Sequence, residues 1–431
     1  MYDVIIVGGG IAGAASAALL AQRGMRVLVC DRSRLPASAV STHFFGPSVL
    51  AFLDRLEVLE EVLATGAPPL RRWHLEVEGG YYGAPMLPRS PYPYNLCVRR
   101  ETLSGIILRA ASRHGAEIRD RCSVRSLAWH EDAVTGVAGD GWQEKAHVVV
   151  GADGRNSFVA RHARAATTFD AGALRCTFHA YWRDVAPLPA PALELWHQGA
   201  RLLQVGPCDG QRWVIMLSAP AEDFRALRNG AEDRAGPDPG SCYERELRAI
   251  PSMANRLRDA SRVSPVFGSG QLRNFHRHPA GPGWRLAGDA YCHKDPLFGA
   301  GIADSLAAAQ ALADTVPAAV NADLPWCQAE REYVSALEER VGQRLRSGLE
   351  SLRVEPPDPG QLAWIHGVLA HPALALEMTQ RCSQMFAGLP PERRAFWQQV
   401  ANRAAELLSL PPAAQVDAAV HAEPHAPGAA R

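Results

Sequence analysis

Residues 4–32 read VIIVGGGIAGAASAALLAQRGMRVLVCDR, and the order of residue types in this stretch decides the fold. An apolar run at Val4–Val7 predicts a strand, small residues over about 10–23 predict a tightly packed helix, and Gly24 marks its stop. Arg26–Cys30 then predicts a second strand, which completes a β-α-β unit. Gly8, Gly10 and Gly13 fall between the first strand and the helix, and Asp31 ends the second strand. In such a unit the first glycine permits the tight turn, the second lets backbone approach a pyrophosphate, and the third lets helix pack on sheet. The helix N-terminus favours phosphate charge, and the acid accepts hydrogen bonds from a ribose diol. The pattern predicts a dinucleotide but leaves FAD and NAD both open.

Outward from this unit, 431 residues are enough for two or three packed units, with 47% hydrophobic and 21% charged residues. Formal net charge is zero, so no overall field draws the chain to nucleic acid or an anionic membrane. The expected partner is a small molecule, with no nucleic acid and no membrane, and the chain is expected to be a monomer or homodimer. Nine cysteines occur singly, without a C-x-x-C pair, which argues against a disulfide framework and against a metal site. The expected compartment is the cytoplasm, because the chain opens directly on strand and no apolar run reaches the roughly 18–20 residues of a membrane helix.

Residues 42–64 predict helix, and HLEVEGGYYGAP after them predicts antiparallel strands. RRETLSGIILRAASRHGAEI has helical spacing, and short β-prone runs fill 172–217, two of them joined by the turn PCDGQ. Residues 241–260, 326–351 and 361–409 predict helices, and the Ala/Pro-rich end predicts disorder. The expected fold class is α/β: a Rossmann-like nucleotide domain of the glutathione-reductase type, an inserted antiparallel β-sheet substrate domain and a C-terminal helical region. The nucleotide domain is assigned 1–75, 100–170 and 265–350, and the inserted sheet 76–99 and 171–264. The helical region takes 351–410, and the disordered tail 411–431.

Two later stretches narrow the nucleotide. VVVGADGRNS (148–157) ends a strand on Asp153-Gly154, and LAGDAYCHKDPLFGAGIADSL (286–306) ends one on Gly288-Asp289 before Pro296, Gly299 and Gly301. With the N-terminal glycine loop and the arginine of RETL (Arg100), these occur in the order found in the aromatic-hydroxylase-like FAD monooxygenases with a p-hydroxybenzoate-hydroxylase fold. The chain resembles that family over about residues 4–315. The resemblance implies noncovalent FAD, with Asp31 on the adenosine ribose, Arg32 beside it, and Arg100 near the pyrophosphate. Asp289 would hold the ribityl chain, while Asp153 and Gly154 would lie beside the cofactor and leave a place for the nicotinamide. The family commonly carries glutamate where Asp31 stands. Pro296, Gly299, Gly301 and Ile302 would pass close to the isoalloxazine, since backbone lies against a planar ring only where side chains are absent. The helix after Gly301 would offer free N–H groups to the N1–C2=O edge.

The resemblance further implies that NADPH or NADH reduces FAD, that O2 adds at C4a, and that the hydroperoxide hydroxylates or epoxidises a fairly large, largely apolar or aromatic molecule of secondary metabolism. The nicotinamide would bind transiently, because no second G-x-G-x-x-G follows. Phe178, Trp182, Trp196, Trp213 and Met216, with Tyr81-Tyr82, are the candidate substrate wall. His43 and His293 are candidates for proton transfer, with Pro296 beside the reacting ring. Helices 361–409 have two readings, a cap over the cavity or a dimer contact. Three rivals stand: flavin-dependent halogenation, a geranylgeranyl-reductase-like activity, and a non-catalytic FAD or ligand carrier. The first calls for a lysine in the first domain and a W-x-W-x-I-P stretch; the only lysines are Lys145 and Lys294, and RWVIML is not that motif.

Overall fold

The computed structural model describes residues 1–37, 41, 43–86, 91–229, 239–371 and 374–375. The strands that carry the site, numbered in chain order, begin with β1 (Tyr2–Val7), β2 (Val27–Cys30), β3 (Arg72–Val77) and β4 (Gly80–Pro85). They continue with β5 (Glu117–Arg119), β6 (Trp142–Gly151), β7 (Arg175–Arg183), β8 (Ala192–Gln198), β9 (Arg201–Cys208), β10 (Arg212–Pro220) and β11 (Trp284–Leu286). The helices are α1 (Ile11–Gln22), α2 (Arg100–Arg113), α3 (Phe158–His162), α4 (Pro239–Arg248), α5 (Pro251–Arg256) and α6 (Gly301–Val320).

The centre of the first, eight-stranded sheet runs β11-β6-β1-β2-β5, these five parallel, with antiparallel strands added at Ala280–Gly281 and Ala133–Gly139. Val4, Ile5 and Ile6 are fully buried, as expected of a strand covered on both faces. The alanines of α1 let it pack closely against α2 and α6. Register decides where the site lies: Val7 pairs with both Cys30 and Gly151, and Gly151 pairs with Leu286. Four strands therefore end at one level, and Gly8, Asp31, Ala152 and Ala287 all follow there. In open parallel sheets that carboxyl edge is where ligands bind.

The second sheet runs β7-β10-β9-β8-β3-β4, antiparallel except where β8 meets β3. It takes in Arg72–Val77 and, through a short strand Phe267–Ser269 paired to β7, reaches past residue 264. Its boundaries are thus wider than 76–99 and 171–264. Along β7 every residue but Arg183 is buried, so both faces of the sheet are covered. Cys176, Phe178, Ala180 and Trp182 enter a core with Tyr243, Leu247 and Met253 from α4 and α5. Thr177, His179 and Tyr181 face the other way, toward the first sheet.

Other departures are local. Residues 42–64 hold a short strand, Phe44–Phe45, before helices Pro47–Arg55 and Leu59–Leu63. The helix expected over 241–260 is two, α4 and α5, because Pro251 starts a new one. A helix at Pro359–Ala370 opens the C-terminal region, while the remainder of 361–409 beyond residue 375 and the tail 411–431 lie outside the described residues. Among the described residues no helix is long and apolar enough to cross a membrane.

Candidate active site

A cavity of about 640 Å³ opens along the carboxyl edge of the first sheet, within the roughly 300–1,000 Å³ usual for small-molecule and cofactor sites. Gly8, Gly10, Asp31, Arg32, Arg100, Asp153, Gly154, Asp289, Pro296, Gly299, Gly301 and Ile302 all line it, and so does His293. Strand register brings Gly8, Asp31 and Asp153 to the same edge of the cavity.

The three glycines of the N-terminal loop do different work. A Cβ on Gly13 would fall on the Gly8 carbonyl oxygen, so this glycine serves packing inside the turn and does not line the cavity. Gly288 likewise packs against α1, where a Cβ would lie 2.8 Å from that of Ala12. At Gly10, Gly154 and Gly301 a Cβ would meet nothing within 4 Å, although all three line the cavity. The bare backbone at these points forms a cradle shaped for something that approaches it closely.

Asp31 accepts from Gly9 N at 2.7 Å and from Ser33 N at 2.8 Å, which braces the loop while leaving further lone pairs for a diol. The Asp153 carboxylate is taken up by Ser157 Oγ at 2.5 Å and Phe158 N at 2.6 Å. It orients the start of α3, and the residue presented bare beside it is Gly154. Arg100 opens α2, and burial lowers its pKa to about 10 against the opposing pull of Asp289. Its Nη1 is buried with no hydrogen-bond partner. An orphaned guanidinium nitrogen beside bare backbone suits an anionic ligand such as a pyrophosphate. No side chain caps the start of α6, so its N–H groups also remain available. These features fit FAD.

One residue that positions the site was read only as part of a turn. Asp209, on the β9–β10 turn, is buried and accepts from Arg99 N at 2.8 Å, Arg99 Nε at 2.9 Å and Thr102 Oγ1 at 2.8 Å. It ties the start of α2 to the second sheet and so sets where Arg100 stands. The sequence signal was an acid in a hairpin turn, which has a local explanation and points to nothing distant.

The two histidines differ. His43 does not line the cavity; it is fully buried at a positive φ of 67° and its Nε2 shares a 2.7 Å hydrogen bond with the Tyr181 hydroxyl. Burial, His179 and the charge of Arg100 hold its pKa well below the usual value, so the ring is neutral. His293 does line the cavity, and its Nδ1 lies 2.5 Å from the Arg273 carbonyl oxygen. Because a carbonyl only accepts, Nδ1 carries the proton in this bond, and Nε2 is the ring nitrogen left for another partner. Next to it, Lys294 Nζ is 2.7 Å from Asp304 Oδ2 in a buried ion pair, and the Asp295 side chain accepts from Leu297 N at 2.9 Å to cap the turn at Pro296. Cys292 is buried, which pushes its thiol up to about 12 and leaves it unreactive.

The expected substrate wall needs correction. Phe178, Trp182 and Trp196 belong to the core beneath α4 and α5, with Trp213 packed against it, on the face of the second sheet turned away from the cavity. Trp182 Nε1 donates to Tyr243 at 3.4 Å, and Arg256 covers Trp213 at 5.2 Å. Tyr81 is exposed, and neither it nor Tyr82 lines the cavity. Of the five candidates only Met216 lies on the opposite face, and it too is fully buried and does not line the cavity. Trp182→Ala is expected to cost about 3–5 kcal/mol of stability while FAD affinity, measured well below the melting temperature, stays unchanged; lost FAD affinity in the folded variant would contradict this placement.

The model of the FAD binding domain family matches residues 1–270. The chain is 23% identical over 355 residues to flavin-dependent halogenase armH1 of Armillaria mellea, covering 74% of this chain and 66% of that one. It is 27% identical over 311 residues to a rifampicin monooxygenase of Streptomyces venezuelae, covering 66% and 61%. It thus spans a little under two thirds of the length of these relatives. In fold it is similar to the myxobacterial chondrochloren halogenase CndH, with a TM-score of 0.73, 20% identity and 83% of each chain covered. With the glycine cradle, the orphaned arginine and the aligned strand ends, the match over residues 1–270 is decisive: the chain belongs to the FAD binding domain family, among the aromatic-hydroxylase-like flavoproteins.

Proposed function

We propose that the chain is an FAD-dependent monooxygenase that takes electrons from NADPH or NADH and transfers one atom of O2 to a fairly large, largely apolar or aromatic small molecule, by hydroxylation or epoxidation. Bound in the cavity, FAD supplies two-electron exchange with the nicotinamide and activation of O2. Gly10, Arg100 and Asp31 would hold its ADP half, and Asp289 with the Pro296–Ile302 segment its flavin half. The N–H groups at the start of α6 favour negative charge beside them. His293, on the cavity wall with its Nδ1 on the Arg273 carbonyl oxygen, is the side chain placed to exchange a proton with a substrate hydroxyl. His43 and Tyr181 are buried, and Tyr181 is kept protonated by desolvation, so this side of the site excludes water.

The observation that favours oxygenation over halogenation is the placement of lysine. Halogenation on this scaffold calls for a lysine in the first domain, and the chain has two lysines in all. Lys145 is exposed on β6, and Lys294 is paired with Asp304. The relatives named halogenases support the rival, and those named monooxygenases support this reading. Reaction under 18O2 with NADPH and a panel of polycyclic phenols is expected to add one labelled oxygen atom to the product. A mass gain that depends on chloride or bromide would transfer the chain to the halogenases, and binding without any NAD(P)H oxidation would favour a carrier.

A further inference from the structure

The ion pair of Lys294 and Asp304 is nearly closed to solvent, with side chains 3% and 5% exposed and Nζ 2.7 Å from Oδ2. Taking two charges out of water is costly, and such a pair adds little net stability, so its presence calls for a use. Only one partner reaches the FAD cavity: Lys294 lines it, together with Asp295 and Pro296, and Asp304 does not. Asp304 stands in the first turn of α6. Its other oxygen, Oδ1, has no hydrogen-bond partner and lies 3.8 Å from Arg344 Nη1 on the helix Gln343–Gly348. Two cations thus share one anion, and a cation forms the end of the row that meets the cavity.

The other charged groups of this wall leave that cation in place. Asp289 and Arg100 attract each other, and burial pushes the Asp295 carboxyl up, toward its neutral form. Among the described residues of the segment 288–306, Lys294 is the one lysine or arginine that lines the cavity. The segment includes Pro296–Ile302, assigned above to the flavin half of FAD. Oxidised isoalloxazine is uncharged, whereas hydride transfer to it, two electrons with one proton, leaves a negative charge on the N1–C2=O edge. A nearby cation therefore favours the reduced form over the oxidised one. At an effective dielectric of about 20, one unit charge about 10 Å away shifts such an equilibrium by roughly 10-fold.

Resting on FAD binding at this wall and not on oxygen transfer, we propose that Lys294 sets the reduction potential of the bound flavin: its ammonium stabilises the reduced, anionic cofactor, and Asp304 moderates that charge. The same pairing holds Nζ on Asp304, so the lysine acts through its field and not as a nucleophile. Because a field acts over several ångströms, the role requires no contact between Nζ and the ring.

The test measures the two-electron midpoint potential of FAD-loaded protein by anaerobic titration against a reference dye, and the affinity of the apoprotein for oxidised FAD. Neither needs a substrate or turnover. Lys294→Met is expected to weaken reduced FAD by roughly 10-fold relative to oxidised FAD, a fall of about 30 mV, while oxidised FAD binds nearly as in wild type. Asp304→Asn, which keeps the size of the side chain, is expected to move the potential upward. A lysine that only pins the loop to α6 predicts instead that both substitutions weaken oxidised FAD and leave the potential unmoved or shift it alike. The double variant leaves neither charge of the pair without its partner. Its potential is expected roughly 10-fold, or about 30 mV, below that of Asp304→Asn, which supplies the Lys294 effect should Lys294→Met not fold. A potential unchanged or raised in Lys294→Met, or lowered by both single substitutions, overturns the proposal. A chain that shows these shifts but adds no oxygen to any substrate upholds it and removes only the monooxygenase reading; a wild-type chain that takes up no FAD overturns both.

Discussion

Asp289→Ala is expected to yield a folded protein that is colourless when purified, with FAD affinity reduced by about 100-fold or more. Asp289 is exposed to the cavity, and its carboxylate makes no hydrogen bond to another described residue, so its removal breaks no hydrogen bond of the fold. A carboxylate only accepts, so its partners must be donors, such as the hydroxyls of a ribityl chain. Hydrogen bonds to a charged group are worth about 1.5–3 kcal/mol each, and losing two of them gives the expected factor. Flavin content by absorbance and FAD titration of the apoprotein measure it; a variant isolated with stoichiometric FAD at unchanged affinity would remove Asp289 from the site.

The second large effect is expected at Gly10. Gly10→Val places a side chain where nothing lies within 4 Å but the cavity begins, and the backbone there, φ −70° and ψ −173°, is accessible to any residue. The apoprotein is expected to fold with a melting temperature within a few degrees of wild-type apoprotein. FAD binding is expected to fall on the order of 100-fold, because the pyrophosphate can no longer reach the start of α1. Gly13→Ala supplies the contrast, since its Cβ would displace the Gly8 carbonyl: it is expected to destabilise the fold itself by about 1–3 kcal/mol. If Gly10→Val kept its FAD while Gly13→Ala left stability untouched, the two glycines would have been assigned the wrong roles.

The cofactor half of the site was legible because each of its parts is local. A glycine loop after a strand, an acid at a strand end and a glycine turn before a helix carry their geometry in a few consecutive residues, and parallel pairing then aligns them. Asp31, Asp289 and the Pro296–Ile302 segment reach the cavity for this reason. Arg100 was also found, but what fixes it was not: Asp209 reaches across from another sheet, 110 residues away in the chain for its bond to Arg99.

The substrate side was not legible, and the reason is the burial of both faces of the second sheet. In a half-exposed strand, alternation of apolar and polar residues tells inside from outside. Here Phe178 and Trp182 on one face and Thr177, His179 and Tyr181 on the other are all buried, so hydrophobicity alone favoured the aromatic face as the pocket wall. The nucleotide domain, its β-α-β start and the order of its FAD-facing segments follow from the sequence itself, since local backbone demands select those residues. Which face of the inserted sheet is covered by α4 and α5, and that His43 joins Tyr181 while His179 and Gln204 stand unpaired in one row, was decided only by the packing of those helices on one side and the FAD-binding domain on the other.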